Sequence, residues 1–103
     1  MERFHNKVVV ITGAGSGIGA GAAQRFAKEG ASVVLVGRTQ EKLEKVAASL
    51  PQGKHLVVPC DVSVPEEVEA LARRVEEEFG RADVLVNNAG MIVQGRIHEI
   101  DLN

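Results

Sequence analysis

At 103 residues the chain has the length of one small domain and is too short for a two-domain enzyme. Its 45% hydrophobic and 25% charged residues are ordinary for a globular protein, and no apolar run is long enough to span a bilayer. A net charge of −2 excludes a nucleic-acid module built on bulk basicity, and the single cysteine, Cys60, excludes an internal disulfide framework and a thiol-built zinc site.

The first residues, Met1 to Lys7, are polar and lack the apolar segment of a secretory signal, so a reducing, cytoplasmic setting is expected. Residues 7–12, 31–36, 55–60 and 83–87 are short runs rich in Val, Leu and Ile, too short for helices. They lack polar alternation, as strands covered on both faces do. Helical spacing appears between them. Ile18, Ala22, Ala23, Phe26 and Ala27 form the apolar face of a first helix that Gly30 stops. Thr39 is placed to cap a second, with Leu43, Val46, Ala47 and Leu50 on its apolar face and Pro51 at its end. Ser63-Val64-Pro65-Glu66 reads as a capping box opening a third helix, whose face is Val68, Leu71, Ala72, Val75 and Phe79 and whose stop is Gly80.

The order β-α-β-α-β-α-β predicts an α/β fold: a Rossmann-like parallel sheet with right-handed crossovers, strand order 3-2-1-4, half of a doubly wound sheet. The first two helices are expected on one face and the third on the other. The fourth strand, around Val84, Leu85 and Val86, is expected to be an open apolar edge. Self-association through that edge, seen as a concentration-dependent oligomer, is the corresponding expectation.

Between the first strand and first helix lies Thr12-Gly13-Ala14-Gly15-Ser16-Gly17-Ile18-Gly19. Glycines there permit a tight turn and a close approach of phosphates to the backbone, and the helix N-terminus favours an anionic pyrophosphate. The alternative is that the glycines only allow the helix and strand to pack closely. The turn has no Gly-Lys-Ser/Thr ending, which argues against a nucleoside triphosphatase. Many NAD-binding sheets carry a carboxylate after the second strand, toward the ribose 2′-hydroxyl. Here the segment is Val36-Gly37-Arg38-Thr39, and Arg38 is suited to a 2′-phosphate. The cofactor expected is NADP, with NAD as the alternative.

These residues resemble the short-chain dehydrogenase/reductase family. The glycine turn is similar to that family's T-G-x-x-x-G-x-G, Asp61-Val62 follows the third strand, and Asn87-Asn88-Ala89-Gly90 follows the fourth. The resemblance covers essentially the whole chain. It implies that Gly13, Gly17 and Gly19 shape the pyrophosphate turn, with Gly15, Ser16 and Ile18 beside the cofactor. Asp61 would bond the adenine amino group, Val62 would contribute backbone contact, and Asn88, Ala89 and Gly90 would line the ribose and nicotinamide side. Asn87 would help fix the central strands. Family members with a base at the position of Ser16 often prefer NADP, so this serine weakens the argument from Arg38. Without the family, Asp61 reads equally well as a turn residue before the third helix.

Other residues carry plainer readings. His5, His55 and His98 lack metal-ligand spacing, Cys60 reads as a small packed hydrophobe, and Glu76-Glu77-Glu78 as a solvated helix face. Met91, Ile92 and Val93 lie near substrate or in the core. The family is more than twice as long, and its serine and Tyr-x-x-x-Lys follow the Asn-Asn-Ala-Gly motif. The chain contains no tyrosine, and Asn103 is not in the setting of the family's catalytic asparagine. No catalytic residue is assigned. Residues 1–103 are therefore read as one dinucleotide-binding half-domain ending before the catalytic half. The parent activity would be hydride transfer between nicotinamide and a carbonyl or secondary alcohol. The alternative is a non-catalytic module that binds a nucleotide or pairs through its strand edge.

Overall fold

The computed structural model of the chain describes residues 4–15 and 17–88. The expectations for Ser16, Ala89, Gly90 and residues 91–103 lie outside the described residues. The β-branched runs form strands β1 (Val8–Thr12), β2 (Ser32–Gly37), β3 (Leu56–Pro59) and β4 (Val84–Val86). Between them stand helices α1 (Gly17–Lys28), α2 (Gln40–Ser49) and α3 (Pro65–Phe79).

All three pairings are parallel and the strand order is β3-β2-β1-β4, as the alternation predicts. In the register, Val10 of β1 sits beside Val34 of β2 and Leu85 of β4. Side chains alternate between the two faces of each strand. Val9, Ile11, Val33 and Leu35 therefore meet Ala23 and Ala27 of α1 and Leu43 of α2 on one face. Val8, Val10, Val34, Val36 and Val58 meet Leu71 and Val75 of α3 on the other. β1 is buried throughout, whereas all three residues of β4 are only half-buried. Among the described residues β4 pairs with β1 alone.

The helix ends follow mostly from local chemistry. α1 closes with Gly30 at φ 93°, the Gly30 amide bonding Ala27 O at 3.1 Å and the Ala31 amide bonding Phe26 O at 3.1 Å. This paired pattern uses a left-handed residue that glycine adopts without strain. Leu50, held extended by the proline after it, ends α2. Gly80 ends α3 in the left-handed region.

Three expectations need correction. The capping box does not form. The residue before α3 is Val64, with no side-chain cap, and Ser63 Oγ instead donates to Asp61 Oδ1 at 2.6 Å. A hydroxyl bond to an ionised carboxylate is stronger than one between neutral groups, so Asp61 wins the serine from the helix end. Thr39 precedes α2 and accepts from the Leu43 amide through its backbone carbonyl, but its hydroxyl makes no cap bond. Ile18 is not on the apolar face of α1, because the buried arc runs through Gly19, Ala23 and Ala27 and position 18 lies off it; Ile18 is 80% exposed.

Candidate functional site

In a parallel sheet all strands end at the same edge, and there Thr12, Gly37, Pro59 and Val86 deliver their following loops side by side. The loop after β1 is fixed on both sides. Ala14 N donates to Val36 O at 3.0 Å, and Asn88 N donates to Thr12 Oγ1 at 2.9 Å. The Thr12 hydroxyl in turn donates to Asn87 Oδ1 at 2.9 Å. This buried threonine thereby ties the glycine turn to the end of β4. It carries no charge and no unusual spacing, and its role depends on a contact 75 residues away in the chain.

The turn glycines divide into two kinds. Gly13 has φ 62°, and a Cβ there would stand 2.6 Å from Asn88 O. At Gly19 a Cβ would collide with the carbonyl oxygen of Gly13. Both are required by close packing of the protein on itself. Gly17 differs: among the described residues a Cβ there would meet nothing within 4 Å. The described residues therefore leave space over it, at the start of a 12-residue helix whose first amides have no intrahelical partner. Ile18, the next residue of the helix, is exposed. Gly15 is intermediate, with a Cβ 3.0 Å from Lys42 Cβ. The close-packing meaning of the glycine string thus holds at Gly13 and Gly19.

Two clefts open beside the turn. One of about 290 Å³ lies between Gly13, Val36, Arg38, Cys60, Asp61 and Val62. The other, about 190 Å³, lies between Gly13, Gly15, Gly37, Arg38, Thr39 and Lys42. Arg38 stands at both. Lys42 escapes a reading based on motifs; the signal available in the sequence was a second cation four residues after Arg38, on the first turn of α2.

Asp61 is held by its own loop. Its Oδ1 accepts from the Ser63 amide at 3.0 Å and from the Ser63 hydroxyl, while its amide donates to Glu67 Oε1 at 2.8 Å. The Ser63 hydroxyl and amide, with the charge of Arg38, hold its carboxyl below the usual range against a smaller opposing effect of burial. It is ionised at neutral pH, accepts hydrogen bonds only, and suits a ligand group that donates. Among the described residues, Oδ2 accepts no hydrogen bond. Burial, then the charges of Glu67 and Asp61, push the Cys60 thiol up, so it stays protonated and packs against the α3 face.

The structure thus brings Gly13, Gly15, Gly17, Ile18, Gly19, Arg38, Asp61, Val62 and Asn88 to one edge of the sheet. Among the described residues no cluster of His, Cys, Asp or Glu is suited to a metal, and no helix is long and apolar enough to cross a membrane.

Comparison with known proteins agrees with this architecture. The family model described as short chain dehydrogenase matches residues 7–103. Meso-2,3-butanediol dehydrogenase of Serratia marcescens is 52% identical over 101 residues, covering 98% of this chain and 40% of that protein. A short chain dehydrogenase from Bacillus anthracis superposes with a TM-score of 0.78 at 49% identity, over 82% of this chain and 35% of that one. A 3-ketoacyl-(acyl-carrier-protein) reductase from Brucella melitensis, solved in complex with NADH, superposes with a TM-score of 0.75 at 43% identity. That match covers 80% of this chain and 33% of the reductase. The chain therefore spans well under half the length of these relatives. It belongs to the short-chain dehydrogenase family.

Proposed function

We propose that residues 1–103 are the cofactor-binding portion of an oxidoreductase that moves hydride between NADP(H) and a carbonyl or secondary alcohol carbon. The observation that carries this reading is the open space over Gly17 at the start of α1, beside clefts that share Arg38. Pyrophosphate would sit against the glycine turn at the start of α1, shaped by Gly13, Gly17 and Gly19, with Gly15, Ser16 and Ile18 beside the cofactor. Asp61 and Val62 would take the adenine, and its ionised carboxylate suits the exocyclic amine as donor. Asn88, Ala89 and Gly90 would line the ribose nearest the nicotinamide.

Arg38 supports NADP, because a guanidinium pairs well with a 2′-phosphate. NAD is the alternative, since Ser16 adds no positive charge and one structural relative carries NADH. The chain has no tyrosine, so the proton needed by the developing alkoxide would come from residues beyond this portion. A cytoplasmic setting accords with a lone free thiol at Cys60.

Fluorescence titration with NADPH and NADH tests the assignment. Arg38→Ala is expected to weaken NADPH about tenfold or more, equivalent to about 1.4 kcal/mol, and NADH by less than about twofold. Equal losses would remove the preference for NADP, and no binding of either nucleotide by the wild-type protein would remove the reading as a whole.

A second reading rests on β4, whose three apolar residues are half-buried and bonded on one side among the described residues. Such an edge can pair with another chain. Light scattering would then show an oligomer that grows with concentration, and a monomer at all concentrations would exclude it.

A further inference from the structure

We infer that Lys42 is a second specificity-determining cation, acting with Arg38 on the phosphate that distinguishes NADP from NAD. The inference rests on the dinucleotide reading above and deepens it. Three observations carry it. Arg38 and Lys42 line the same cleft of about 190 Å³, which is large against the roughly 30 Å³ share of one water. Among the described residues neither forms an ion pair, although other cations do, namely Arg25, Lys54 and Arg81. Lys42 also packs at the turn itself, its Cβ standing 3.0 Å from where a side chain on Gly15 would begin.

The charge of Asp61 acts on Arg38, but among the described residues no carboxylate lines the cleft it shares with Lys42. Two cations share one small depression, and Lys42 lies near the N-terminal, positive end of α2, where anionic groups are preferred. Glu41 offsets the helix end but does not line the cleft. A dianionic phosphate between Arg38, Lys42 and the α2 amides would satisfy all three. Lys42 approaches that phosphate from the α2 side, with the absence of a side chain at Gly15 leaving room for its stem. Arg38 serves both clefts, whereas Lys42 touches only the smaller one. Its substitution should therefore discriminate between the two nucleotides.

The test compares NADPH and NADH binding, by fluorescence titration across a salt series, for the wild-type protein, Lys42→Met and Lys42→Arg. Met and Lys have similar helix propensity, so α2 is preserved. The expected result is about a tenfold loss of NADPH affinity in Lys42→Met, with NADH unchanged within about twofold and a shallower salt dependence for NADPH. Lys42→Arg should retain NADPH affinity. Wild-type binding of both nucleotides with Lys42→Met altering neither, or both equally, would overturn the role of Lys42 and leave the dinucleotide reading standing. Failure of the wild-type protein to bind either would overturn both.

Discussion

Gly17 and Gly19 are two residues apart, carry the same missing side chain, and are required for different reasons. Gly19 lies against the carbonyl of Gly13, so any side chain there displaces backbone; Gly17 opens on space that the described residues do not fill. Gly19→Ala is expected to cost about 1–3 kcal/mol of stability, as overpacking does. Gly17→Ala should leave stability unchanged or raise it by up to about 1 kcal/mol, because alanine is the better helix former. It should weaken dinucleotide binding by about tenfold or more, through loss of close approach to charged oxygens. Urea unfolding and nucleotide titration on both variants separate the two roles, and equal stability losses would show that Gly17 too is a packing residue. His55 gives a second case of a role set by contact. The Val33 amide can only donate to its Nδ1 at 3.1 Å, so Nε2 must carry the proton toward Pro51 O at 3.0 Å. The ring is a tautomer-fixed clasp at the entrance to β3.

Among the elements, β4 is the shortest strand and the least covered; it pairs with β1 along its whole length, and side chains add bonds at both ends. Thr12 secures the end nearest the site. Asp83 secures the other: its amide donates to Val8 O at 2.8 Å, and its carboxylate accepts from the Val8 amide at 2.8 Å and from Arg81 Nε at 3.0 Å. Arg81 also donates to the Asn6 carbonyl, extending the clasp to the chain before β1. Burial raises the carboxyl's pKa, but the Val8 amide, Arg81 and the charge of Lys7 together outweigh it and hold the group below its ordinary value. A depressed folded-state value contributes stability above the unfolded value of about 4 and loses it as pH falls through the folded value. Asp83→Ala is therefore expected to cost about 1–3 kcal/mol at pH 7 and progressively less below about pH 4. Urea unfolding at pH 7 and pH 3 checks this; an undiminished difference at pH 3 would mean that the charge contributes nothing. At α3 the equivalent closure is made by Lys54, whose ammonium donates to Glu78 O at 2.7 Å and lies 4.9 Å from the Phe79 ring centroid.

At the scale of the whole molecule, what was legible in the sequence is what periodicity carries. The Val-rich runs read as strands, those of β1 and β2 buried on both faces, and the spacing of Ala23, Ala27, Leu43, Leu71 and Val75 assigned each helix its apolar side. Alternation and crossover handedness then left few topologies besides 3-2-1-4. The details that govern the site were not legible in the same way. Ser63 had two partners within reach, and only the fold shows Asp61 taking it from the helix end. The exposure of Ile18 depends on which arc of α1 meets the sheet, set by Gly19 against Gly13, and the approach of Lys42 to Gly15 depends on the packing of α2 over the turn. Each is set by distance in space between segments whose local patterns say nothing of one another.

The central claim is that a dinucleotide lies across the edge where the strands end, and amide shift mapping by NMR on addition of NADPH tests it most directly. The expected result is that the amides of Gly13, Gly15, Gly17, Arg38, Asp61, Val62 and Asn88 shift together. Those of Val8, Ser32, Leu56 and Val84, at the opposite ends of the strands, should stay in place. Shifts confined to that opposite edge or to the outer faces of the helices, or no shifts at saturating NADPH, would contradict the account.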